Sequence, residues 1–190
     1  MSKSLPPGVR DSALRTQTNP IIKDEVFIEK YSAETGGEFT RLQIKVAPGG
    51  GTPLHYHNSY AEHFSPKVGD LSIVLGEDTK VFKPGETAEV PVGTKHRFFN
   101  ANSDKDVEYM VELRPAHEGF EKALHIMYGL ARDGEVGPDA LPKSFVVQCL
   151  MAEMGDMSPP GWTVKPLLKA VAAYARWMGE EERLLKKYWY

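Results

Sequence analysis

Apolar and polar residues alternate along much of the chain between Val26 and Leu113. In "FTRLQIKVAP", Leu42, Ile44 and Val46 fall on one face of an extended segment and Arg41, Gln43 and Lys45 on the other. "KDVEYMVELRP" repeats the pattern, with Val107, Tyr109, Val111 and Leu113 inward and Glu108 and Glu112 outward. "DLSIVLGEDTKVFKPGETAEV" divides into short strands at Gly-Glu-Asp and Lys-Pro-Gly turns. Short strands at regular spacing predict a mainly β sandwich or barrel over residues 25–115. Pro66, inside the strand of "FSPKVGDL", cannot donate to a ladder, so it marks an edge or a bulge. After Pro115 the period changes. Phe120, Leu124, Met127 and Leu130 recur at helical spacing and stop at Gly134. "PKSFVVQCLMAEMGDM" predicts a second helix, and "WTVKPLLKAVAAYARWMGEEERLLKKYWY" one or two more, broken near Gly179. Residues 116–190 are therefore expected to be a helical C-terminal extension. Residues 1–24, with Pro6, Pro7 and Pro20 and no period, are expected to be an extended N-terminal arm.

Composition narrows the picture in three ways. The 190 residues suit one domain with an appendage. The net charge of −3 leaves no basic footprint for nucleic acid. Cys149 is the only cysteine, which excludes an intrachain disulfide framework and a cysteine-based zinc site. The N-terminal stretch lacks the apolar run of a secretory signal, and no stretch is long and apolar enough to span a bilayer, so a cytoplasmic setting is the default expectation.

The chemistry concentrates in "GGGTPLHYHNSYAEHF", residues 49–64. Alternation along an extended segment points His55 and His57 to one face and Tyr56 away. After a turn through Asn58, Ser59 and Tyr60, Glu62 can face the histidines from the next strand. Two imidazoles and a carboxylate make half a metal site, and "GETAEVPVGTKHRFFN", residues 85–100, supplies His96.

The spacing of these residues resembles the cupin superfamily, of the single-domain conserved-barrel type. Gly49, His55, His57, Glu62 and Gly69 match its first motif. Gly85, Pro91, Gly93, His96 and Asn100 match its second, fifteen residues further on. The resemblance implies a cupin jelly-roll β-barrel, a double-stranded β-helix, around a divalent metal held by His55, His57, Glu62 and His96. Such a donor set suits Fe(II), Mn(II), Ni(II), Cu(II) or Zn(II) and leaves two positions of an octahedral ion free. By resemblance, the function implied is a metal-dependent enzyme, most concretely an Fe(II)-type dioxygenase acting on a small molecule, with Glu62 as a catalytic general base. The alternatives are a cupin isomerase or decarboxylase, or a non-catalytic cupin that binds a small molecule or works in assembly.

The remaining candidates read as structural. The motif glycines serve turns, and Asn100 serves a structural hydrogen bond. His63 points away from the site. His117 and His125, in the helical extension, are expected at the surface. Phe64 and Phe98 either line the pocket or pack the core, and Tyr109 reads as core packing. The extension has two readings. Its apolar residues, among them Phe145, Leu150, Met151, Trp162, Leu168, Trp177 and Trp189, cover the barrel and form a homodimer, or the last helices lie on a membrane surface. The acidic run Glu180–Glu182 favours the homodimer.

Overall fold

A computed structural model of the chain describes residues 5–102, 104–161 and 165–190. Among the described residues nine strands form two antiparallel sheets: β1 Thr16–Asn19, β2 Asp24–Lys30, β3 Thr40–Val46, β4 Ala61–Val68, β5 Leu71–Leu75, β6 Asp78–Phe82, β7 Ala88–Val90, β8 His96–Phe99 and β9 Val107–Arg114. The larger sheet has the order β1-β2-β3-β9-β4-β7 and the smaller one β6-β5-β8. This is the jelly-roll architecture, two sheets facing each other without a continuous ladder closing a cylinder.

Alternation places the core. On β3, Leu42, Ile44 and Val46 are buried opposite Val111, Tyr109 and Val107 of β9, which the register pairs with them. Between the sheets, the Phe98 ring of β8 lies 6.1 Å from Phe64 of β4 and 5.2 Å from Tyr109 of β9. Both phenylalanines therefore pack the core, and Phe98 also reaches the cavity described below. Pro66 sits where β4 has run past β7, and the β4–β9 register shifts between Pro66 and Val68. The ladder bulges where the proline has no N–H to give.

A three-stranded sheet cannot cover a six-stranded one. Two helices, α2 (Glu118–Arg132) and α3 (Phe145–Met154), supply the rest; α1 is a four-residue turn at Pro7–Arg10. α2 begins at His117, whose Nδ1 accepts from Phe120 N–H at 2.9 Å, and α3 begins at Ser144, whose hydroxyl accepts from Val147 N–H. The chain continues into α4 (Lys165–Trp177) and α5 (Glu180–Tyr188), separated by Gly179 at φ 78°.

His125 is not at the surface as expected. It is 2% exposed, its Nε2 lies 2.9 Å from the Tyr31 hydroxyl, and burial pushes its pKa down to about 4. The reason is a polar stripe on α2. Glu121, His125, Tyr128 and Arg132 follow helical spacing and each bonds to the segment from β1 to β3. Glu121 accepts from Ser32 N–H and the Thr40 hydroxyl, both at 2.6 Å. Tyr128 donates to Asp24 at 2.6 Å, and Arg132 donates to Gln17 at 3.0 Å. Of the large apolar residues of the extension, Leu150, Met151 and Trp189 are buried, whereas Phe145 and Trp177 are exposed. Trp162 lies outside the described residues. Among those residues no helix is long and apolar enough to cross a membrane.

Candidate metal centre

His55, His57, Glu62 and His96 come together from three places in the chain. The β3–β4 loop carries the first two, β4 carries Glu62 one residue after its start, and β8 opens on His96. A short backbone pairing locks the loop to β8: His55 N–H donates to His96 C=O at 2.9 Å and receives the reciprocal bond at 2.8 Å. The glycine run makes this approach feasible. A Cβ on Gly51, at φ 150°, would overlap the Phe98 carbonyl and the Phe99 backbone. Asn100 fastens the base of the site, its Nδ2 donating to Val46 C=O at 2.9 Å and Lys105 C=O at 2.8 Å. His63, next to Glu62, is half-buried on the opposite face of β4.

One donor atom from each of the four residues falls within 4.8 Å of the others. The three imidazoles are oriented by the same device. Nδ1–H of His55 donates to Pro53 C=O at 2.8 Å, that of His57 to Asp156 C=O at 2.9 Å, and that of His96 to Thr94 C=O at 2.9 Å. Assigning these tautomers leaves Nε2 of His55 and of His57 as lone pairs aimed inward, while Nε2 of His96 faces the Glu62 carboxylate. His57 Nε2 is buried without a hydrogen-bond partner, 3.7 Å from Glu62 Oε1. His96 Nε2 lies 2.9 Å from Glu62 Oε2.

The electrostatics suit a cation. Burial pushes His55 down to about 3, helped by the neighbouring His96 and His57, and burial also lowers His57. Burial alone would raise Glu62, yet the histidines around it, His57 foremost, hold it at about 2. For His96 burial acts downward, but the Glu62 carboxylate overrides it and raises the pKa. Two neutral imidazoles, a third sharing a proton with a carboxylate, and one orphaned buried lone pair fit a divalent metal in place of that proton.

What holds His57 carries no mark in the sequence. Its partner Asp156 lies 99 positions away, in the loop after α3. The Asp156 carboxylate accepts from Asn58 N–H at 2.8 Å, Asn58 Nδ2 at 2.8 Å and the Ser59 hydroxyl at 2.6 Å. Tyr56 and Ser158 pair through their backbones, and the Tyr60 hydroxyl donates to Gly155 C=O at 2.9 Å while its ring stacks on His57 at 4.2 Å. No motif flags these residues, because the pairing depends on how α2 and α3 return across the sheet.

From His55 and Glu62 a cavity of about 250 Å³ runs between the larger sheet and the helices. Val26, Leu42, Ile44 and Val111 form its floor, and Leu124, Met127 and Met151 its roof. Tyr109, the aromatic neighbour of Phe98, stays outside it in the core.

Residues 42–112 match the family model described as Cupin domain. A curated protein of Hypocrea virens named "Probable oxidoreductase virH" is 30% identical over 136 residues, covering 68% of this chain and 62% of that protein. The chain thus spans less than two thirds of that relative's length. Among solved structures, the polyketide cyclase RemF of Streptomyces resistomycificus aligns with a TM-score of 0.44 at 19% identity, covering 60% of this chain and 75% of that one. An RmlC-like cupin from Shewanella frigidimarina aligns with a TM-score of 0.47 at 15% identity, covering 55% and 86%.

Proposed function

This chain belongs to the cupin superfamily, and on that premise we propose that it is a metal-dependent oxidoreductase of small molecules, specifically an Fe(II)-type dioxygenase. His55, His57 and His96, through Nε2, and Glu62, through its carboxylate, would hold the metal. The observation that carries the reading is the inward aim of three backbone-locked imidazoles, one with an orphaned lone pair, beside an ionised carboxylate at the end of a cavity. The likeness to the Hypocrea virens protein supports oxidoreductase chemistry.

When bound, a metal here would supply Lewis-acid and redox chemistry for an oxygen-bearing substrate and dioxygen. The chain's own part is to orient and to move a proton. Burial keeps His55 and His57 neutral, so their Nε2 lone pairs are available to a metal. Glu62 is the carboxylate next to the cavity and, on leaving the metal, would take the proton of the substrate hydroxyl as general base. Pro53, Thr94 and Asp156 carbonyls fix the imidazole planes.

Elemental analysis of the purified protein tests the metal part. About one transition-metal ion per chain is expected, with loss in His57→Ala and His96→Ala; a metal-free wild type that cannot be reloaded refutes it. Oxygen uptake by Fe(II)-loaded protein with enols, diketones or phenols tests the chemistry, and Glu62→Gln is expected to abolish it. Binding without turnover under Fe(II), Mn(II), Ni(II), Cu(II) and Zn(II) alike would make the protein a binding module instead. We also propose a homodimer that covers the exposed Leu167, Tyr174, Trp177 and Met178 of α4 and its C-terminal end.

A further inference from the structure

The wall of the cavity carries information that the four candidate ligands do not. Among the described residues lining it there is no lysine and no arginine. Apart from the imidazole of His55, the ionisable side chains facing it are Glu62, Asp139 and Tyr128. A phosphate or carboxylate on the body of a ligand would be stripped of water and find no counter-charge there.

The polar side chains of the wall each already have a partner in the protein, Thr52 included, whose hydroxyl accepts from Phe98 N–H at 3.4 Å. The Tyr128 hydroxyl donates to Asp24 at 2.6 Å, and Gln148 Nε2 donates to Pro142 C=O at 2.7 Å. Asn19 Oδ1 accepts from Ile21 and Ile22 N–H at 3.0 and 3.4 Å, and Asp139 Oδ1 accepts from Leu141 N–H at 3.1 Å. A sugar, with a hydroxyl on nearly every carbon, would lose water along its length for few replacements. What remains is an apolar trough of methyl, methylene, thioether and aromatic surface, with its free chemistry at the His55–Glu62 end. By comparison with a cavity of about 150 Å³ that takes benzene, about 250 Å³ holds on the order of ten non-hydrogen atoms.

We propose that the substrate is a compact molecule about the size of two fused rings, neutral and apolar along its body, with oxygen atoms confined to the one edge that meets His55 and Glu62. The proposal rests on the metal-site reading above only for the role of that edge. It excludes sugar phosphates and small dicarboxylates as substrates of this chain.

The test uses the full chain loaded with Zn(II), which is redox-silent, and three probes: 2,3-dihydroxynaphthalene, oxalate and glucose 6-phosphate. Calorimetric titration is expected to show micromolar binding of the naphthalenediol and nothing comparable for the two anions. Ala152→Trp, which fills the cavity from α3, should weaken the diol at least about tenfold while leaving the zinc content unchanged. Met127→Trp, at a partly buried position on the same wall, replaces it if the first variant melts early. Tighter binding of oxalate or glucose 6-phosphate overturns the proposal. So does diol affinity that neither tryptophan changes in a folded protein. Stoichiometric zinc with no diol binding also overturns it and leaves the metal reading standing. Diol binding that is sensitive to Ala152→Trp in a chain that takes no zinc supports the cavity assignment and sinks the metal reading.

Discussion

Asp24 is a carboxylate with one oxygen bonded to Tyr128 and the other, Oδ1, buried without a partner. Burial raises its pKa from 3.8 to about 7, against the lowering effect of the Tyr128 hydrogen bond. The folded chain therefore binds this proton more tightly than the unfolded chain. The associated stability is fully present below about pH 4 and is lost as pH rises through 7. His125, lowered to about 4 by burial, has the opposite sign: its contribution is present above the ordinary histidine pKa and is lost as pH falls through 4. Asp24→Asn separates the two. It keeps an oxygen for Tyr128 and removes the buried charge, so we expect it to exceed wild type at pH 8 by roughly 1–3 kcal/mol and to match it near pH 4. Denaturant midpoints of both proteins at the two pH values check this; an equal gap at both would show that Asp24 does not titrate in the folded protein. The sequence marks neither group, since an aspartate at a strand start and a histidine in a helix read as surface residues until their neighbours are known.

Among the elements, the α2–α3 pair sets the geometry around His57. The loop after α3 places Asp156 at φ 50°, a left-handed conformation that aspartate and asparagine tolerate better than alanine. Asp156→Ala removes three hydrogen bonds to Asn58 and Ser59 and disfavours that backbone, so the carbonyl holding His57 is released. We expect metal affinity to fall about 10–100-fold with all four donors intact, and Asp156→Asn to lie between the two. Competition against a chelator of known affinity measures both, and an unchanged affinity would make the loop a bystander. The helix pair also depends on Gly119, where a Cβ would overlap the Met154 carbonyl of α3. Gly119→Ala should cost about 1–3 kcal/mol in a thermal melt and loosen the same loop.

For the whole molecule, the larger sheet and the helices share one apolar core. Val26, Leu42, Ile44 and Val111 face Phe120, Leu124 and Met151 across the cavity rather than a second full sheet. Truncation after Arg114 would leave that face bare and remove the Asp156 carbonyl. Burying a side chain of this size contributes about 1.5–3 kcal/mol, and a domain has about 5–15 kcal/mol in total, so the truncated chain should be unfolded or aggregated and metal-free. A soluble, metal-loaded truncate with an unchanged melting point would make the extension an independent appendage. On the outside, Trp177 is 79% exposed beside Tyr174 and Met178, a set that a lone chain would leave in water. Light scattering of wild type against Trp177→Glu is expected to show a dimer that the charge disrupts, and a wild-type monomer would refute it.

The strands within residues 25–115, their inward faces and the four candidate donors were legible in the sequence because each depends on local relations, whereas β1 lies in the stretch read as a periodless arm. A period of two decides which way Leu42 or Val111 points, and fixed spacings along two short segments mark His55, His57, Glu62 and His96. The bulge at Pro66 follows from one missing N–H in the same way. The carbonyl behind His57, the burial of His125 and a cavity wall without lysine or arginine among its described residues were decided by the tertiary structure alone. Each requires residues tens of positions apart, such as His57 with Asp156, Tyr31 with His125 and Asp24 with Tyr128, to meet across a sheet. Spacing along the chain carries no record of such meetings, since they depend on where α2 and α3 come to rest on the face that the three-stranded sheet leaves open.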